Sequence, residues 1–107
     1  MTGKTLIKEK LLEWSELITK LSLKEIDLFE KKENYENMSE DIIEKTDFKE
    51  IYGKNNADIR KKHVKNELKK EYDEIKKLEF EIAHIKRQIE YTKQLIRSET
   101  VFLEIKQ

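Results

Sequence analysis

The chain contains no cysteine, no proline and only two glycines in 107 residues. Without cysteine there is no disulfide framework and no thiolate chemistry. Without proline the commonest helix breaker is missing. No run approaches the roughly 18 apolar residues of a membrane-spanning helix. The amino-terminal MTGKTLIKEKLL carries lysines inside its apolar stretch, unlike the unbroken apolar centre of a signal peptide. The expectation is a cytoplasmic protein with no membrane partner. Asn37-Met38-Ser39 then fits a glycosylation sequon in spelling only, because that modification needs a secreted chain. Formal net charge is zero, which removes any global pull toward nucleic acid or an anionic membrane.

What the chain does contain is charge and helix-forming pattern. Charged residues make up 43% and apolar residues 36%, the balance of long charged helices more than of a mixed compact domain. Leu68, Ile75, Ile82, Ile89, Ile96 and Leu103 recur every seven residues, with Leu78 and Ile85 three residues behind two of them. Aliphatics at alternating steps of three and four form a stripe along one side of a helix that packs on another helix. A second stripe comes earlier in the chain, at Ile7, Leu11, Trp14, Ile18, Leu21 and Leu28, widened by Leu6, Leu17 and Phe29. Trp14 serves either as a packing anchor near the open end or as an exposed interface anchor.

Between the stripes lies a corner. Gly53 supplies the left-handed conformation that ends helices, Lys54, Asn55 and Asn56 favour a turn, and Asn56 can cap the next helix. The expected fold is all-α: a single domain forming a long antiparallel, coiled-coil-like helical hairpin. Its first arm covers about 3–52, the turn 53–56 and the second arm 57–105. Thr2 or Thr5 is the expected first cap. Near 37–47 the first arm either breaks or continues through a frayed or bent segment: Ser39 before Glu40 and Asp41 has the features of a restart, and Thr46-Asp47 those of a cap for a separate short helix. Each arm would be close to ~70 Å long at about 1.5 Å per residue. One hairpin would leave a long apolar edge in water, so a homodimer in a four-helix arrangement is expected. The candidate self-association residues are Trp14, Leu68, Ile75, Leu78, Ile82, Ile85, Ile89, Ile96 and Leu103.

Residues 1–52 hold nine Lys/Arg against thirteen Asp/Glu, and residues 53–107 hold fourteen against ten, so antiparallel arms attract each other. Glu67, Glu74 and Glu81 on one flank, with Lys65, Lys86 and Lys93 on the other, would set the alignment. Thr92 and Glu99 occupy inner positions where aliphatics are expected.

Chemistry-bearing constellations are sparse. Gly3-Lys4-Thr5 has the tail of a phosphate-binding loop but neither its earlier glycine nor its preceding strand. His63 and His84 lie about three heptads apart and cannot share a metal within the chain; His63 and Glu67 alone are no ligand set. Paired carboxylates such as Glu40-Asp41 and Asp73-Glu74 lack a desolvated cleft to separate their pKa values. No enzyme, cofactor or metal is expected. The richest cluster runs from Lys54 to Lys70, with Arg60, Lys61, Lys62, Lys65, Lys69 and His63. It either grips phosphates, helped by free amides at the helix start, or is a solvated face balancing the acidic first arm. No aromatic stacking ladder accompanies it.

The stretch TDFKEIYGKNNADIRKKHVKNEL, followed by YDEIKKLEFEIAHIKRQIEYTKQLI, resembles small charge-rich coiled-coil proteins of temperate phages and prophages of Gram-positive bacteria. Tyr52, Gly53, Asn55, Asn56 and Arg60 carry the similarity, which covers roughly the last sixty residues. The resemblance implies a phage accessory role near DNA recombination and replication, with no assigned activity. Arg60 could pair with Asp47 or Glu50 across the turn, or face a partner. The expected function is a non-enzymatic phage protein that binds an unidentified host or phage protein of DNA metabolism or defence. Candidate contacts are Tyr52, Lys54, Asn55, Arg60, Lys61, Lys62 and Lys65. The alternatives are a nucleic-acid-binding accessory protein using residues 54–70, and a purely structural coiled coil.

Overall fold

A computed structural model describes residues 3–106, and these form four helices with no strand among the described residues: α1 (Gly3–Lys45), α2 (Phe48–Tyr52), α3 (Ala57–Glu67) and α4 (Lys69–Lys106). The fold is an all-α helical hairpin, with α1 as one arm and α3 and α4 as the other. It divides into two contact units: residues up to Ile26 with those from Phe80 onward, and Asp27–Glu79.

In the first unit Gly3 lies against Leu103, and Lys24 Nζ reaches Glu81 Oε2 at 2.8 Å, so the chain runs antiparallel. A Cβ at Gly3 would stand 2.7 Å from Leu103 Cδ2, a close approach that the missing side chain permits. Ile82 and Ile85 are buried here. The same register sets Trp14 level with Thr92, which is only 2% exposed. A small side chain opposite the largest one explains why Thr92 stands where an aliphatic was expected; Glu99 is half-buried. The indole Nε1 of Trp14 is buried without a hydrogen-bond partner.

In the second unit Tyr35 meets Tyr72 with ring centroids 6.3 Å apart, again antiparallel, and Phe48, Val64, Leu68, Ile75 and Leu78 are buried. Helix α1 has no fully buried residue, whereas the second arm buries Val64, Leu68, Ile75, Leu78, Ile82 and Ile85 and half-buries Ile89, Ile96 and Leu103. The wide apolar face of α1 therefore covers the narrow one of the second arm while staying half-open itself. Thr5 lies inside α1 and does not cap it; Thr2 is outside the described residues.

Helix α1 runs through Asn37 without interruption. The Ser39 hydroxyl donates to the Tyr35 carbonyl at 2.6 Å, a bond made within the helix, so Ser39 is not a cap. The break falls at Thr46-Asp47. The Thr46 hydroxyl donates back to the Ile42 carbonyl at 2.6 Å, and Asp47 Oδ1 accepts from the Glu50 amide at 3.1 Å. These bonds satisfy one orphan carbonyl of the ending helix and one orphan amide of the starting one. Gly53 ends α2 at φ 71°, its amide donating to the Lys49 carbonyl. Asn56 Oδ1 accepts from the Ile59 amide at 3.0 Å and opens α3. The second arm has an irregularity with no cue in the sequence: Leu68, at φ −110° and ψ 35°, separates α3 from α4. Backbone bonding continues around it, from Leu68 N to Val64 O and from Tyr72 N to Leu68 O, both at 2.8 Å.

Of the flanking charges proposed to set alignment, Glu81 pairs across the hairpin, with Lys24. The other ion pairs among the described residues join neighbours on one helix: Lys10–Glu13, Asp27–Lys31, Asp41–Lys45 and Lys76–Glu79. Such exposed pairs contribute about 0.3–0.5 kcal/mol each, so apolar packing holds the arms. Ile82 is 6% exposed. Ile82→Ala should cost about 2–5 kcal/mol and Leu23→Ala, at a side chain 64% exposed, within about 0.5 kcal/mol in urea unfolding followed by circular dichroism.

Candidate interaction site at the hairpin tip

The tip is built around Phe48, which is 2% exposed. With Asp47 capping α2, the ring turns inward and packs edge-on against His63 at 5.3 Å and stacked with Tyr52 at 6.1 Å. Tyr52 closes the cluster: its ring stands edge-on to His63 at 5.6 Å and its hydroxyl is 2.6 Å from His63 Nδ1. Three aromatic rings thus clamp the five-residue α2 onto α3, and such pairs add about 0.5–1.5 kcal/mol each beyond burial. The sequence puts Phe48 at the start of the expected binding turn and His63 in the basic cluster, but nothing local to either signals that the two rings meet.

Arg60 pairs with neither Asp47 nor Glu50. Its Nη1 donates to Asn55 Oδ1 at 2.8 Å and to the Asn55 carbonyl at 3.4 Å, which bolts the turn to α3. Tyr52 and Asn55 are therefore organisers of the tip as well as exposed residues. Lys54, Lys61 and Lys62 are exposed and form no ion pair among the described residues. Lys65 Nζ sits 4.6 Å over the Tyr72 ring, with Lys76 Nζ at 5.3 Å from the same ring. The expected balancing of this basic segment by the acidic first arm is not made through ion pairs. Nor is the segment one patch: successive helical residues stand about 100° apart, so Lys61 and Lys62 face different ways.

Two grooves flank the tip. One is lined by Asp41, Ile42, Lys45, Thr46, Asp47, Glu50, Ile51, His63 and Glu67, and is rich in carboxylates. The other, about 270 Å³, has Tyr35, Ile43, Ala57 and Val64 as its body with Ser39, Arg60 and Lys61 as its polar groups. No cluster of histidine and carboxylate side chains capable of holding a metal occurs among the described residues. Leu68, Ile75, Leu78, Ile82 and Ile85, expected to join two chains, are already covered within one. Trp14, Ile89, Ile96 and Leu103 are half-buried. The large apolar side chains left exposed lie elsewhere, with Phe80, Tyr91 and Phe102 spaced three helical turns apart on α4, and Leu12, Leu23 and Ile26 on α1.

No protein-family model matches the chain, and searches of curated proteins and of solved structures gave no significant match. Among the described residues no helix is long and apolar enough to cross a membrane.

Burial, with the neighbouring Tyr72 and Glu71 adding to it, holds the Tyr35 phenol above the usual tyrosine range. A raised folded-state pKa stabilises the fold below the unfolded value of about 10 and loses that contribution as pH climbs through the folded one. Wild-type stability should therefore fall in alkaline urea titrations above about pH 10, and Tyr35→Phe should flatten that fall. An unchanged alkaline slope would contradict the assignment.

Proposed function

We propose that this chain is a non-enzymatic phage accessory protein that binds a host or phage protein of DNA metabolism or defence and inhibits it in the cytoplasm of the bacterial host. The observation that carries the reading is the construction of the tip. Exposed cations without intramolecular partners, Lys54, Lys61 and Lys62, stand on a corner held rigid by two caps, the Arg60–Asn55 bonds and the Phe48–Tyr52–His63 cluster. Rigid display reduces the ordering cost of binding, and a binder of this kind needs no catalytic residue. The resemblance to phage coiled-coil proteins rests on these same positions, Tyr52 through Arg60.

Homodimerisation is part of the proposal, through the outward residues Phe80, Tyr91 and Phe102 in place of the seam residues. Exposed large apolar side chains repeated along one helix face favour a helical partner. The second reading, nucleic-acid binding, draws on the same unpaired lysines.

Capture from a bacterial lysate should retain a protein that the triple variant Lys54→Glu, Lys61→Glu, Lys62→Glu loses while keeping wild-type helicity. Equal capture by both would remove the tip from the function. Affinity for single- or double-stranded DNA that drops about tenfold or more between 50 and 200 mM salt, and vanishes in that variant, would favour the second reading. Sedimentation at micromolar concentration should give a dimer that Tyr91→Glu with Phe102→Glu converts to monomer. A fully helical wild-type monomer with concentration-independent melting would sink the dimer.

A further inference from the structure

The two grooves flanking the tip differ in charge. The groove between α1 and α3 has an apolar body made by Tyr35, Ile43, Ala57 and Val64. Its ionic lining is cationic throughout: Arg60 and Lys61, with no carboxylate. On the other side the lining holds Asp41, Asp47, Glu50 and Glu67 against Lys45 and His63. Ile43 stays 38% exposed in the chain although it belongs to the apolar body, so a large aliphatic surface is left without a covering group. Arg60 is held in place through Nη1 by Asn55, which leaves its Nε and Nη2 without a protein partner among the described residues. One turn along α3 from Lys61, Lys65 extends the cationic wall over the Tyr72 ring beside Tyr35.

We propose that this groove is where the partner protein docks, and that the docking segment is an acidic peptide carrying one bulky apolar side chain, its Leu, Ile or Phe lying on Ile43 and Val64 and its carboxylates meeting Lys61 and Arg60. The inference rests on the protein-binding reading above and specifies the partner's chemistry. About 270 Å³ is room enough for one large side chain, and the proposal seats one anchor there. Charge complementarity selects the occupant. An acidic segment is attracted by the Arg60–Lys61 wall and repelled by the carboxylates of the opposite groove, so docking is confined to one side of the tip. A planar guanidinium with two free N–H positions donates to both oxygens of a carboxylate. A nucleic-acid strand is a poorer match, because the groove supplies only two cations and one aromatic ring, Tyr35, and no series of rings on which successive bases could stack.

The test is selection of a random dodecapeptide display library on the immobilised full chain, followed by fluorescence anisotropy of the recovered peptides. The expected result is enrichment of peptides with several Asp or Glu around one Leu, Ile, Phe or Trp. Their binding should weaken at least tenfold in Lys61→Glu and in Ile43→Asp, and stay unchanged in Glu50→Gln on the opposite side. Lys61 is exposed, so its variant should keep the wild-type helical spectrum and melting curve even if Ile43→Asp loosens the fold. Three outcomes overturn the proposal: no enrichment above library background, peptides insensitive to Lys61→Glu, or a single-stranded DNA 12-mer bound with the same variant pattern. The two readings separate cleanly. Lysate capture that depends on Lys54 and Lys62 but not on Ile43 or Lys61 keeps the protein-binding function and removes the groove. Groove-dependent peptide binding with no partner captured keeps the groove and removes the phage accessory role.

Discussion

The aliphatic stripe of the second arm is the constraint on which the rest of the chain depends. Leu68, Ile75, Leu78, Ile82 and Ile85 hold almost all of their surface out of water, and they do so against a helix that has no fully buried residue of its own. Burying one such side chain gains about 1.5–3 kcal/mol, more than any exposed ion pair on the hairpin. The asymmetry between the arms follows from their patterns. A strict heptad stripe is narrow enough to be covered by one neighbour, while the broader face of α1, with Leu6, Leu17 and Phe29 beside the main positions, cannot be. The exposed apolar side chains of α1 are thus the direct consequence of a two-helix arrangement.

The tip is held differently. With so few residues it has little area to bury, and one ring, Phe48, occupies the space that a larger domain would give to several. The remaining stability comes from closed local hydrogen bonds: Asp47 and Asn56 each take a helix-starting amide, and Arg60 fastens the turn through Asn55. Using Arg60 Nη1 and Asn55 in this way leaves Lys54, Lys61, Lys62 and the other edge of the Arg60 guanidinium as the groups available to a partner.

The fold was legible because its determinants are local and repetitive. The heptad stripe, the Gly53 corner and the Asn56 cap each depend on residues within a few positions of one another, and the described residues contain no strand pairing to hide. The places where expectation and structure part are those decided by competition. Ser39 has the features of a restart, yet its hydroxyl bonds to the Tyr35 carbonyl, and continuous backbone bonding outweighs the cap it could have formed. Leu68 is a strong helix former in an irregular conformation, which no propensity foretells. The tip was legible in outline only. Tyr52 and His63 are eleven residues apart across a turn, and their bond becomes visible only when α2 is folded back on α3. The grooves were invisible for the same reason, since each draws its lining from both sides of the corner.

Gly53 stands alone in its surroundings: a Cβ built on it meets no atom within 4 Å, although its φ of 71° disfavours ordinary side chains. The requirement at this corner is one of handedness and not of room. A mirror-image residue such as D-alanine favours that same dihedral, so chemical synthesis can stiffen the bend through backbone handedness alone.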